Sequence, residues 1–344
     1  MGTPYRKKLA AFTLAAAVAV AAVTCDRGGP ILESPSGSSF LDPLTGEQAR
    51  NLFEVETNDP EYWRMFTFDR YDGDSWTATN PDGSEGAVSL SAPATLPPFG
   101  DGPPPEAQIL NQTFRILADL PIAHALPMAQ TAEEIAGPIG AITWDSARSL
   151  AFVDGDLEAG MTYNVRSRIV IPTPEELDRV DLLAPSMYGR WTALPADLDL
   201  RIGEIAERWT ADAPSDYRKV LAIQQHFHNG DFVYSTDVGS AVDDDALLEF
   251  LTRTKAGFCQ QYSSAMAVMV RTLGLPARIG VGYRAGTLLA DGSYLVKTSD
   301  AHVWVEVLFP GYGWLQFEPE PGTQPHPNAQ AGTYLNPAAP TDAS

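Results

Sequence analysis

The sequence predicts an α+β protein, with an N-terminal antiparallel β-domain ahead of a domain in which helices pack on an antiparallel sheet. Three observations carry this expectation. Residues 51–172 are mostly strand-like and punctuated by turns. After Pro172-Thr173-Pro174 the apolar spacing turns helical, and the stretch 257–320 sets one long amphipathic helix before two alternating strands. A length of 344 residues accommodates two domains, and 44% apolar with 10% aromatic residues supplies packed cores.

Charge and the first residues come next. The chain carries 23 Lys+Arg against 44 Asp+Glu, a formal net charge of −21. That balance excludes nucleic-acid binding, because a footprint on phosphates needs clustered positive charge. The one basic cluster, Arg6, Lys7 and Lys8, stands directly before the uncharged run 9–23 and marks residues 1–25 as a secretory signal peptide or membrane anchor. The run is shorter than the roughly 20 residues that span a membrane, so cleavage and shallow anchoring both stand. Lipidation at Cys25 is the lesser alternative, Val23-Thr24 being a poor approach to such a site. In every version the body of the chain is exported, with 20 basic against 44 acidic residues and a net charge of −24.

Residues 26–50 read as a linker rich in Gly, Pro and Ser. In 51–172, the N-terminal β-domain, the aromatic run 62–71 ends at the turn Asp72-Gly73-Asp74 and resumes at Ser75-Trp76-Thr77, with further strands at 112–119, 149–155 and 161–172. Tyr62, Trp63, Phe66, Phe68 and Trp76 read as core in preference to the lining of a carbohydrate groove, and the Pro- and Gly-rich residues 88–108 as a long loop. A helical connector fills 173–214. The segment 215–228 is then a helix that starts at Ser215-Asp216 and carries Tyr217, Val220, Leu221 and Phe227 at helical spacing. It opens the second domain, 215–322, and the Pro/Ala-rich tail 323–344 is expected to be disordered.

Only Cys25 and Cys259 exist, so with Cys25 lost to nearby cleavage or lipidated the exported body holds one thiol in an oxidising compartment. Tyr262, Ala265, Met266, Met269, Val270 and Leu273 form the apolar stripe of a helix bounded by Gly257 and by Gly274 and Pro276. Cys259 falls in or just before its first turn, where the macrodipole and unpaired N–H groups favour thiolate and can build an oxyanion hole. A thiolate nucleophile needs an imidazole. In DAHVWVEVLFP, alternation puts His302, Trp304 and Glu306 on one face and Val303, Val305 and Val307 on the other. A second strand, GWLQFEPEPG, follows the turn at Pro310–Gly313, so a carboxylate can reach the His302 ring, with Glu318 nearer than Glu320. Together these suggest a Cys-His-acid triad. His226 and His228, two apart on a helix, point in different directions and are not a metal pair.

The runs Gly257-Phe-Cys259-Gln-Gln-Tyr262, Leu273-Gly-Leu-Pro-Ala-Arg278 with Gly282-Tyr283, Asp300-Ala-His302-Val-Trp304-Val-Glu306 and Gly313-Trp314 with Phe317-Glu318-Pro319 resemble the bacterial transglutaminase-like superfamily over residues 215–322. The upstream segments resemble its membrane-anchored, outward-facing branch. The resemblance implies a papain-like cysteine-nucleophile fold, with Cys259 as nucleophile, His302 as base and acid, Glu318 in the place usually held by Asp, and Tyr234 as a second oxyanion donor. It implies acyl transfer on protein or peptide carboxamides, of the cell envelope among others, to an amine or to water. Calcium at Asp243-Asp244-Asp245 is implied less strongly than a solvated helix start, and no other cofactor is expected. The competing class is a non-catalytic envelope binding or assembly module on the same fold.

Overall fold

The computed structural model describes residues 49–79, 87–98, 107–182, 188–238 and 244–322. The expected signal or anchor 1–25, nearly all of the linker, the tail 323–344 and Asp243 of the acidic run lie outside the described residues. Among the described residues no helix is long and apolar enough to cross a membrane.

Two antiparallel sheets organise the chain. The larger has seven strands in the order Thr287–Leu288, Tyr294–Lys297, Asn51–Thr57, Ala107–Ile116, Thr162–Val170, Ala132–Ala136 and Ala94–Thr95. Period-two patterning builds it: Leu110, Phe114 and Ile116 turn inward while Asn111 and Arg115 stay exposed. The smaller sheet runs Gly313–Phe317, Ala301–Phe309, Ala277–Tyr283 and Trp63–Phe68. Its strands 277–283 and 301–309 are buried along their whole length.

The two halves of the chain exchange strands. Trp63–Phe68, from the N-terminal half, pairs with Ala277–Tyr283 in the smaller sheet, while Tyr294–Lys297, from the C-terminal half, pairs with Asn51–Thr57 in the larger. The first crossing is tight. A Cβ on Gly282 would lie 2.0 Å from the Trp63 carbonyl oxygen, so only glycine lets the strands approach there. A buried ion cluster bolts the same junction: Glu306 accepts from Arg64 Nη1 at 3.0 Å and from Arg278 Nε at 2.6 Å, and Trp304 Nε1 donates to the same carboxylate at 3.2 Å.

Helix Cys259–Thr272 lies between this sheet and helices Leu200–Trp209 and Asp216–His228. The expected apolar stripe is therefore only part of what it buries, since every residue from Cys259 to Arg271 is inside. A helix covered on all sides must satisfy its polar groups internally. The Arg271 guanidinium donates to the carbonyls of Ala193, Asp69 and Ala277, and Ser263 Oγ donates to the Val303 carbonyl at 3.0 Å. Residues 88–108 are not one long loop, because Val88–Ser91 and Ala94–Thr95 are strands; their pairing with Ala141–Asp145 and Ala132–Ala136 outweighs local Pro and Gly content.

Candidate active site

Cys259 is the first residue of its helix, and the His302 strand crosses that end. The Cys259 sulfur, a ring nitrogen of His302 and a Glu320 carboxylate oxygen lie within 4.8 Å of one another, all buried. His302 Nε2 is 2.5 Å from Glu318 Oε2. An ionised carboxylate only accepts, so the Nε2 proton is the donor, and in the neutral ring Nδ1 carries the lone pair. Nδ1 is buried and has no hydrogen-bond partner among the described residues, which leaves it as the nitrogen available to a proton from the thiol.

Glu318 is held at both ends. Its Oε2 also accepts from the Tyr62 hydroxyl at 2.9 Å, and its Oε1 from the Glu320 backbone N–H at 3.1 Å. Its own N–H donates to Gln224 Oε1 at 2.9 Å, and its carbonyl accepts from His228 Nε2 at 2.8 Å. Helix Asp216–His228 thus sets the backbone of the residue that orients His302. Burial pushes the Glu318 carboxyl up, but His302 and Arg284 outweigh it and hold the group below the usual carboxylate range.

The helix start favours a lowered thiol pKa at Cys259, and the surroundings reverse that. Burial comes first, the Glu320 charge second, and both push the thiol up; Arg284 and the Val303 N–H oppose them without prevailing. The magnitudes explain the sign. A helix N-terminus contributes up to about 2 kcal/mol in a partly buried setting, whereas full burial can move a pKa by about 3–5 units, each unit being about 1.4 kcal/mol.

Tyr234 stands on the two-residue strand Val233–Tyr234, paired in parallel with Ala256–Gly257 immediately before the nucleophile. Its side chain is partly exposed, and partial burial followed by the charges of Glu320 and Cys259 pushes its hydroxyl up to about 12. The phenol therefore remains a donor at neutral pH.

Of the predicted site residues, Cys259 and His302 come together, Glu318 rather than Glu320 makes the bond to the ring, and Tyr234 borders them. Sequence reasoning missed Tyr62, Gln224 and His228 as groups that hold Glu318. Tyr62 is indeed buried in the core, packed edge-on to His302 with ring centroids 5.3 Å apart, but its hydroxyl faces the acid. No local signal marks such a role, because the partners are far apart in the chain.

The sequence pattern of the transglutaminase-like superfamily matches residues 203–319, and that of the TgpA N-terminal domain matches residues 44–174. Residues 203–319 thus form a transglutaminase-like core domain, preceded by a TgpA N-terminal domain. The crystal structure of the periplasmic domain of TgpA from Pseudomonas aeruginosa bound to ethylmercury is similar with a TM-score of 0.58 at 25% identity, over 81% of this chain and 92% of that one. Among curated relatives, a protein-glutamine gamma-glutamyltransferase of Pseudomonas aeruginosa is 28% identical over 75% of this chain, and the uncharacterized protein YebA of Bacillus subtilis is 27% identical over 80%. The chain spans 35% and 39% of their respective lengths. The fold is the papain-like one of this superfamily, with the helix that begins at Cys259 packed on the antiparallel sheet that carries His302.

Proposed function

We propose that the protein is an exported cysteine acyl-transfer enzyme acting on protein or peptide carboxamides. The observation that carries the reading is the buried arrangement in which Glu318 takes His302 Nε2 and leaves Nδ1 without a hydrogen-bond partner, while a ring nitrogen of His302 lies within 4.8 Å of the Cys259 sulfur. The similarity to a protein-glutamine gamma-glutamyltransferase and to a periplasmic domain supports both the reaction class and the compartment.

In this reading His302 Nδ1 takes the thiol proton as substrate enters and excludes water. The sulfur attacks the carboxamide carbon, a C–S bond forms, and the oxyanion is met by the Cys259 N–H and the Tyr234 hydroxyl. Collapse breaks the C–N bond, and ammonia leaves with the proton carried by His302. Glu318 keeps the ring oriented and stabilises its charged form. The thioester then passes to an amine or to water. Burial favours the protonated thiol, so in this reading proton transfer accompanies attack.

The test incubates the full chain with a glutamine peptide and a labelled primary amine. Ammonia release that disappears in Cys259→Ala and in His302→Ala supports the reading; amine incorporation identifies a transferase and release without incorporation an amidase. No release in the wild type, with no peptide cleavage, sinks the enzyme reading in favour of a non-catalytic module.

A further inference from the structure

The triad leaves one buried carboxylate unused. Glu320 lies within 4.8 Å of the Cys259 sulfur and a His302 nitrogen, yet the acid position on the ring belongs to Glu318. Its Oε1 accepts from Arg284 Nη2 at 2.6 Å, and while the Glu320 side chain is 5% exposed that of Arg284 is 34% exposed. The order from inside to outside is therefore nucleophile, carboxylate, cation, solvent. A carboxylate here works against the nucleophile, because its charge pushes the thiol up. Its chemistry suits the second half of the reaction instead, when the sulfur is acylated and neutral and the incoming group is a protonated amine.

We propose that Glu320 is the recognition site for the ammonium group of the acceptor, and that Arg284 is the protein's own cation resting in that place until the acceptor displaces it. This deepens the acyl-transfer reading and rests on it. Glu320 accepts from the ammonium and brings its nitrogen to the thioester. The nitrogen sheds two protons: one leaves to water by way of Glu320, the other passes through His302 to the departing sulfur. The C–N bond forms as the C–S bond breaks, and the products are the amide and the free thiol. The strongly acidic body, with 44 acidic against 23 basic residues in the whole chain, raises the local concentration of such cationic acceptors.

The experiment uses the full chain, a glutamine peptide as donor and two acceptors in parallel. One is a monosubstituted alkyl diamine, cationic at pH 7; the other is hydroxylamine, neutral at pH 7. The readout is the ratio of acceptor incorporation to hydrolysis. Glu320→Gln keeps the side-chain shape and removes the charge, and its folding is checked by its denaturation midpoint. It is expected to lower the ratio for the diamine by at least about tenfold, the scale of a lost charge-assisted hydrogen bond, while the hydroxylamine ratio changes less than about twofold. Arg284→Gln, which removes the competing cation, is expected to raise the diamine ratio. Equal changes for both acceptors, no change for either, or a fall in Arg284→Gln overturns the proposal. A wild type that hydrolyses the donor but incorporates neither acceptor also overturns it and leaves the acyl-transfer reading standing. A wild type that releases no ammonia at all is the separate failure of that reading.

Discussion

Glu318 shows how one residue is made to fit a place that the superfamily resemblance fills with a shorter acid. Its carboxylate accepts from His302, Tyr62 and the Glu320 N–H, and its backbone is fixed by Gln224 and His228. The longer side chain is thus anchored from both ends. Tyr62→Phe removes a neutral donor to a buried charge, and a loss of about 1.5–3 kcal/mol in unfolding free energy is expected, with slower ammonia release; an unchanged denaturation midpoint would show that the bond is worthless. The lowered carboxyl of Glu318 gives a pH dependence with a definite sign. Its contribution to stability is complete above the unfolded-state value of about 4.3 and is lost as pH falls through the lower folded-state value. Urea midpoints should therefore fall on acidification below about pH 4 more steeply in the wild type than in Glu318→Gln. Cys259 behaves oppositely to a preformed thiolate. With burial pushing its thiol up, iodoacetamide should modify the resting protein at pH 7 more slowly than a small free thiol, and the rate should climb in the alkaline range. Faster modification than the free thiol at pH 6 would instead reveal a standing thiolate–imidazolium pair.

At the scale of elements, the site depends on a strand that is remote in sequence. Trp63–Phe68 forms the edge of the smaller sheet against Ala277–Tyr283, and Gly282 pairs across with His302 on the other side. Gly282→Ala forces a methyl group onto the Trp63 backbone, so a loss of about 1–3 kcal/mol is expected together with reduced activity from a displaced His302 strand. Glu306 joins three strands of this sheet through Arg64 and Arg278, all fully buried. Glu306→Gln leaves two buried guanidinium groups short of their counter-charge, and thermal or urea unfolding should show a loss of about 3–5 kcal/mol. The nucleophile helix was legible from its apolar spacing, and His302, Trp304 and Glu306 do share a face, as their contacts with one another and with Tyr62 show. Strands such as Ala132–Ala136 and Ala94–Thr95 were not legible, since short segments with mixed polarity gain their order from the neighbours they pair with.

At the scale of the molecule, the two sheets trade strands across the length of the chain. Residues 203–319 alone would lack Trp63–Phe68 on one sheet and would leave Tyr294–Lys297, paired on its other side with Thr287–Leu288, without Asn51–Thr57. Expression of that segment by itself is expected to give a protein without a cooperative unfolding transition, whereas residues 49–322 unfold cooperatively; a stable, cooperative 203–319 fragment would contradict the strand exchange as a stability requirement. The same exchange brings Tyr62 to Glu318, so the N-terminal half contributes a group to the site.

The sequence by itself determined the fold class, the placement of Cys259 at a helix start and of His302 on an alternating strand, and the acidic character of the whole. Those are local or additive properties: spacing selects helix or strand, and charge is a sum. Only the tertiary structure decided that Tyr62, Gln224 and His228 hold Glu318 on the ring, and that burial reverses the expected shift of the Cys259 thiol. Each of these depends on which remote segments exclude water from the site and where their donors point, and a linear pattern carries neither.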